Sequence, residues 1–196
     1  MIKIALGTTN PHKLEEIMDI LKNSNIEGVE FVLVNEGFNP IENGKTLEEN
    51  SYIKAKEAAK MMNIPALADD TGLCVDALDG RPGIYSARYA PTQQEKITKL
   101  LNELKNTPKE KRNAHFSCAM TLVKPNGEKI HVEIGNIKGI INDKQIGNQG
   151  FGYDPIFFIP ELNKTMAEMT IEEKNTLSHR AKALLPMIEW IKNNLK

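Results

Sequence analysis

Short apolar runs alternate with helix-patterned segments through the first third of this chain, and that alternation restricts the fold more than any other feature. Residues 2–9, 31–34 and 66–68 read as strands. Between them, residues 11–23 and 47–62 carry helical periodicity, with Leu14, Ile17, Met18 and Leu21 on one face of the first. This order predicts α/β architecture. A third helix fits residues 92–105. The texture then changes, because residues 114–123 and 129–137 flank Pro125-Asn126-Gly127-Glu128, the pattern of a long β-hairpin. Short strands are expected at 140–142 and 156–159. A final helix is expected over 178–194, where Pro186 predicts a kink or a late restart. No linker, repeat or low-complexity tract appears. The hairpin therefore reads as a second lobe inserted into one folding unit spanning residues 1–196.

A net charge of −1 lacks the basic footprint of a nucleic-acid binder, so no nucleic-acid partner is expected. No apolar run approaches the roughly 20 residues needed to span a bilayer, and no signal-peptide pattern is seen. The expected compartment is the cytoplasm, without a membrane partner. Cys74 and Cys118 lie in apolar, strand-like surroundings and are expected to be buried free thiols. His12, His115, His131 and His179 lack the spacing of a zinc site.

Several segments could carry chemistry. In Thr8-Thr9-Asn10-Pro11-His12-Lys13, Asn10 suits an N-cap and Pro11 the first helical position. Lys13 is a cation in a first turn, where the helix dipole favours anions. A bound phosphate would explain it, and so would an ordinary solvated lysine. In Ala68-Asp69-Asp70-Thr71-Gly72, two acids close an apolar strand ahead of an expected Thr-Gly turn. A carboxylate there could hold Mg²⁺, and adjacent strand residues point to opposite sides, so one aspartate faces a given site. A cap within the turn is the competing reading. Ser86 and Arg88, in a glycine- and proline-rich loop, could reach phosphate. In the glycine-dense run 147–155, Phe151 could stack on a base and Asp154 could accept from base or ribose. Lys174 and the Ser178-His179-Arg180 segment place further cations near helix starts. A phosphoaspartate enzyme is excluded, because the pumps need membrane helices and the soluble hydrolases need an acid at position 71, which is Thr.

Together these motifs resemble the inosine/xanthosine triphosphate pyrophosphatase family, in the same order from Thr8 to Arg180. Thr8–Lys13 is similar to the family's T-G-N-x-x-K motif, and residues 68–72 to A-D-D-S-G. Residues 82–88, 150–155 and 178–180 match its remaining signatures. The resemblance implies an elongated mixed sheet flanked by helices, with two lobes around an active-site cleft, and a homodimer. It implies Mg²⁺ and hydrolysis of non-standard purine nucleoside triphosphates (ITP, dITP, XTP) to the monophosphate and pyrophosphate. Asp70 would be the catalytic base and a metal ligand. Thr8, Thr9, Asn10, Pro11, His12, Lys13, Lys54, Thr71, Ser86 and Arg88 would contact substrate. Phe151, Gly152, Tyr153, Asp154, Lys174, His179 and Arg180 would form the purine pocket. Thr9 stands where the family has glycine, and Thr71 where it has serine. Ile41 stands where family members often place a metal-binding glutamate, leaving Glu42 or Glu49 as the second metal ligand. The alternatives are a Maf-like pyrophosphatase of other base specificity and a nucleotide sensor without turnover. The Phe-Gly-Tyr-Asp and Ser-His-Arg segments argue against the first, and Asp70 against the second.

Overall fold

A computed structural model describes residues 1–195 and gives a mixed α/β fold. In chain order the elements are β1 (Ile2–Leu6), α1 (Pro11–Asn23), β2 (Val29–Leu33), α2 (Leu47–Met62) and β3 (Ala66–Val75). There follow β4 (Pro82–Gly83), α3 (Gln93–Glu103), β5 (Asn113–Val123) and β6 (Lys129–Ile141). The last are β7 (Phe157–Ile159), β8 (Lys164–Thr165), α4 (Ile171–Leu177) and α5 (His179–Asn194). The sheet runs β2-β1-β3-β5-β6-β7-β8, with β4 on β3. No helix among the described residues is long and apolar enough to cross a membrane.

The chain forms two compact units. The first comprises Met1–Asp70, Cys118–Gly135 and the chain from His179. The second comprises Thr71–Ser117 and Asn136–Ser178. The hairpin turn thus groups with the first unit and is not the tip of an inserted lobe.

In the first unit β1 pairs in parallel with both β2 and β3, and is buried on both faces, as parallel strands are. Ile4 and Leu6 join one apolar cluster with Ile17 and Ile20 of α1 and Leu184 and Ile188 of α5. Ala5 points the other way, into a cluster with Ala55, Ala58 and Ala59 of α2. The same alternation continues in β3, where Leu67 belongs to the α1/α5 side and Ala66 and Ala68 to the α2 side. The α2 contact is lined by methyl groups, and it is tight. A Cβ added to Gly7 would stand 2.9 Å from the Ala68 Cβ and 3.1 Å from that of Ala58. The second unit packs Leu73, Leu100, Phe116, Tyr153 and Phe157 into one core, with β6, β7 and β8 antiparallel.

Four further expectations change. β3 does not end in a Thr-Gly turn; it continues to Val75, its far end supported by antiparallel pairing of Leu73 and Cys74 with Gly83 and Pro82. Residues 140 and 141 end β6 and do not form a separate strand. α5 runs through Pro186 without a restart. Cys118 is buried, but Cys74 is only half-buried.

Candidate active site

The alternation of β3 carries the two aspartates to opposite faces. Asp69 continues the Leu67 side and meets α1 and α5. Its Oδ2 lies 2.9 Å from Lys13 Nζ and 3.3 Å from Arg180 Nη2. Arg180 also donates through Nη1 to Glu16. The side chains of Asp69 and Arg180 are both 0% exposed. Burial alone would push the Asp69 carboxyl up, but Lys13, Arg180 and Lys54 outweigh it and hold the group far below the usual carboxylate range. Burial opposes the charge on Arg180 as well, and Asp69 and Glu16 overcome it, so its pKa is raised.

The anion required by Lys13 is thus found within the chain. Asn10 caps α1 as expected, its Oδ1 accepting from the amides of His12 (3.1 Å) and Lys13 (3.3 Å). Thr8 is buried and its Oγ1 accepts from the Asn10 amide at 3.2 Å. Thr9, Asn10, Pro11 and His12 are exposed at the surface of the first unit.

Asp70 continues the Ala68 side and meets α2. Asn50 and Lys54, one helical turn apart, share a face of that helix. Asn50 Nδ2 donates to Asp70 Oδ2 at 3.1 Å, and Lys54 Nζ lies 3.4 Å from Asp70 Oδ1. Lys54 Nζ is also 3.3 Å from Glu42 Oε1, so one ammonium bridges two carboxylates. Burial pushes Asp70 up; Lys54 and Lys13 pull against it without prevailing, and Glu42 adds to the rise. Burial would lower Lys54, but Asp69, Asp70 and Glu42 leave its pKa raised. Adjacent carboxyls are therefore driven in opposite directions, the arrangement expected where one is structural and the other does proton chemistry.

The acidic oxygens around Lys54 suit a hard cation. Mg²⁺ is commonly held by one or two carboxylates, with water and substrate phosphates completing its shell. No group of three or more His, Cys, Asp and Glu fit to hold a metal occurs among the described residues. Asp70 with Glu42 matches the two-carboxylate pattern. Glu49 is occupied differently, its Oε2 accepting from the Lys45 amide at 2.6 Å while its own amide donates to the N-cap Thr46.

In the second unit Asp154 and Lys174 form a buried pair at 2.7 Å, and the Phe151 amide donates to the same Asp154 Oδ2 at 3.1 Å. Gly150 is required there: its φ is +75°, and a Cβ would stand 2.1 Å from Asp154 Oδ2. Gly152 N donates to Gln93 Oε1 at 3.0 Å, and the buried Tyr153 hydroxyl donates to the Ser86 carbonyl at 3.1 Å. Phe151 and Thr71 are half-buried. Ser86 departs from expectation. Its hydroxyl donates to the Gly83 carbonyl at 2.6 Å and accepts from Leu73 N at 2.9 Å, so it braces the loop and is not available to reach phosphate. Arg88 is exposed and lies 5.1 Å over the Tyr85 ring. Sequence reasoning missed Asn50, Glu16 and Gln93. Only the i, i+4 spacing of Asn50 and Lys54 offered a signal.

The pattern of the Ham1 family matches residues 4–190. The chain belongs to the Ham1 family. A dITP/XTP pyrophosphatase of Clostridium perfringens is 45% identical over 205 residues, covering 100% of this chain and 98% of its own. A dITP/XTP pyrophosphatase of Geobacter sulfurreducens is 45% identical over 192 residues, covering 94% of each chain. The solved structure of a HAM1 protein from Coxiella burnetii superposes with a TM-score of 0.88 at 38% identity, covering 98% of this chain and 100% of that one.

Proposed function

We propose that this Ham1-family chain hydrolyses the non-standard purine nucleoside triphosphates ITP, dITP and XTP to the monophosphate and pyrophosphate. Relatives named dITP/XTP pyrophosphatase that match 94–100% of its length support this reading. The observation that carries it is Asp70, a buried carboxyl with a raised pKa beside Lys54 and Glu42. A carboxylate of raised pKa is a better proton acceptor than an ordinary one. A sensor without turnover has no use for such a group. Asp70 takes a proton from the attacking water as its oxygen bonds to the α-phosphorus, and the bond from that phosphorus to the β-bridging oxygen breaks, releasing pyrophosphate.

Asp70 and Glu42 would hold Mg²⁺, which supplies neutralisation of phosphate charge when bound. Lys54 binds and orients the triphosphate, with Lys13 and the exposed Thr9–His12 turn contributing at the start of α1. Phe151, Gly152, Tyr153, Asp154 and Lys174, together with His179 and Arg180, belong to the same proposal as base-recognition residues. Thr71 and Arg88 complete the proposed substrate contacts. The chain works as one pyrophosphatase domain, as a homodimer in the cytoplasm.

A purine 6-keto oxygen accepts hydrogen bonds, whereas the 6-amino group of adenine donates them. A site built to donate there rejects ATP, by about 10⁴–10⁵ at best. The test is pyrophosphate release from ITP, XTP and ATP with Mg²⁺. Much faster release from ITP and XTP is expected, and equal kcat/KM for ITP and ATP overturns the reading.

A further inference from the structure

Asn50 belongs to none of the substrate or metal positions discussed above, yet it is 0% exposed at the start of α2. A buried primary amide needs partners for both of its ends. The Gly44 amide donates to Asn50 Oδ1 at 2.9 Å, while Asn50 Nδ2 donates to Asp70 Oδ2 at 3.1 Å. These neighbours fix which way the amide points, because a backbone N–H only donates and a carboxylate only accepts. Gly44 lies two residues beyond Glu42, and Glu42 shares Lys54 with Asp70. The contacts close a ring: Asp70, Asn50, Gly44, Glu42, Lys54 and back to Asp70. The approach is close, since a Cβ on Gly44 would stand 2.7 Å from Asn50 Oδ1. The next residue secures the helix itself. The Ser51 hydroxyl meets Thr121 Oγ1 at 2.6 Å and donates to the Glu48 carbonyl at 2.9 Å, tying α2 to β5.

We propose that Asn50 is a positioning residue that ties the Glu42-bearing loop to Asp70, holding both carboxylates in one arrangement for the cation. The proposal rests on the functional reading of Asp70 and Glu42 given above. Removing an outer partner of a metal ligand typically lowers metal affinity or activity about 10–100-fold; Asn50 bonds one ligand directly and the loop of the other at Gly44.

The two ends of the amide can be tested separately by NMR exchange of the Gly44 amide in the metal-free protein and by steady-state kinetics with ITP and Mg²⁺. Asn50→Ala removes both bonds. Gly44 exchange should accelerate by about tenfold or more, and kcat should fall by about 10–100-fold with little change in KM. Asn50→Asp keeps an acceptor for Gly44 but faces Asp70 with a second carboxylate, so Gly44 stays protected while kcat falls at least as far. Ser51→Ala, equally buried but making neither of these bonds, should lower stability and leave the Gly44 amide protected. Wild-type kcat in either Asn50 variant, or unchanged Gly44 exchange in Asn50→Ala, overturns the proposal. If Asn50→Ala does not fold, Asn50→Asp alone decides by its kcat. Asp70→Asn separates the two levels: if it turns over normally the functional reading fails, and if it is inactive while the Asn50 variants are normal, only the role of Asn50 fails.

Discussion

The two faces of β3 present the same side chain to opposite ends. On the α1/α5 face, Asp69 is enclosed by Lys13 and Arg180 and its charge is over-stabilised. On the α2 face, Asp70 has a shared lysine and one amide, sits near a second carboxylate, and remains a carboxyl of raised pKa. Adjacent residues of one strand thus separate what holds the fold from what does the chemistry. The lesson is that neighbouring charges sort a pair of acids more sharply than burial does, since both are buried.

The sharpest way to break this comparison is kinetic. Asp70→Asn should lower kcat by about 10²–10⁴-fold, the usual contribution of a positioned base, measured as pyrophosphate release from ITP. Asp69→Asn should leave more activity per folded molecule. The reverse ranking would exchange the two roles.

Next comes stability. Asp69→Asn leaves Lys13 beside a neutral group and Arg180 with Glu16 as its carboxylate partner, and breaking a buried ion pair by removing one partner costs about 3–5 kcal/mol. Urea midpoints at pH 7 would show it. Lys13→Met should cost less, about 1–3 kcal/mol, because Arg180 still serves Asp69. Relief of about 0.3–1 kcal/mol of charge–dipole repulsion at the start of α1 partly offsets it. A stabilised Lys13→Met would mean that the ion pair is not worth its desolvation.

The smallest effect differs in sign. A raised folded-state pKa means that ionised Asp70 opposes folding at neutral pH, so metal-free Asp70→Asn should melt at the same temperature as the wild type or higher. The pH dependences also diverge. The contribution of Asp69 is complete above the ordinary carboxylate value of about 3.9 and is lost as pH falls below it. For Asp70, acidification through its raised pKa recovers stability. The gap between wild type and Asp69→Asn should therefore narrow below about pH 4, and the gap to Asp70→Asn should narrow before that as pH falls. Parallel curves for the two variants would erase the distinction between the faces.

Much of this was legible in the chain. The N-terminal strand–helix alternation, the Asn10 cap and the period-two separation of Asp69 from Asp70 depend on local geometry, which a sequence displays directly. The continuation of β3 was hidden. Asp-Asp-Thr-Gly carries turn chemistry, and sheet neighbours remote along the chain, β5 and the Pro82-Gly83 strand, keep β3 extended. The partner of Lys13 lay out of reach for the same reason, since Asp69 is brought to it by folding. Asn50 gave only its i, i+4 spacing from Lys54: an asparagine in the first turns of a helix looks like polar surface until the loop carrying Gly44 closes over it.

The alanine contact between α2 and the sheet acts as a feeler gauge. Its thickness is set by Ala55, Ala58 and Ala59 against Ala5, Ala66 and Ala68, with Gly7 beneath, and none of these residues has a rotamer with which to yield. Asn50 and Lys54 ride on the same rigid helix, so their clearance from Asp70 is machined into that seam. A single added methyl, as in Gly7→Ala, would register as a misalignment at Asp70 before it registered as unfolding. The tolerance of the chemistry is finer than the tolerance of the fold.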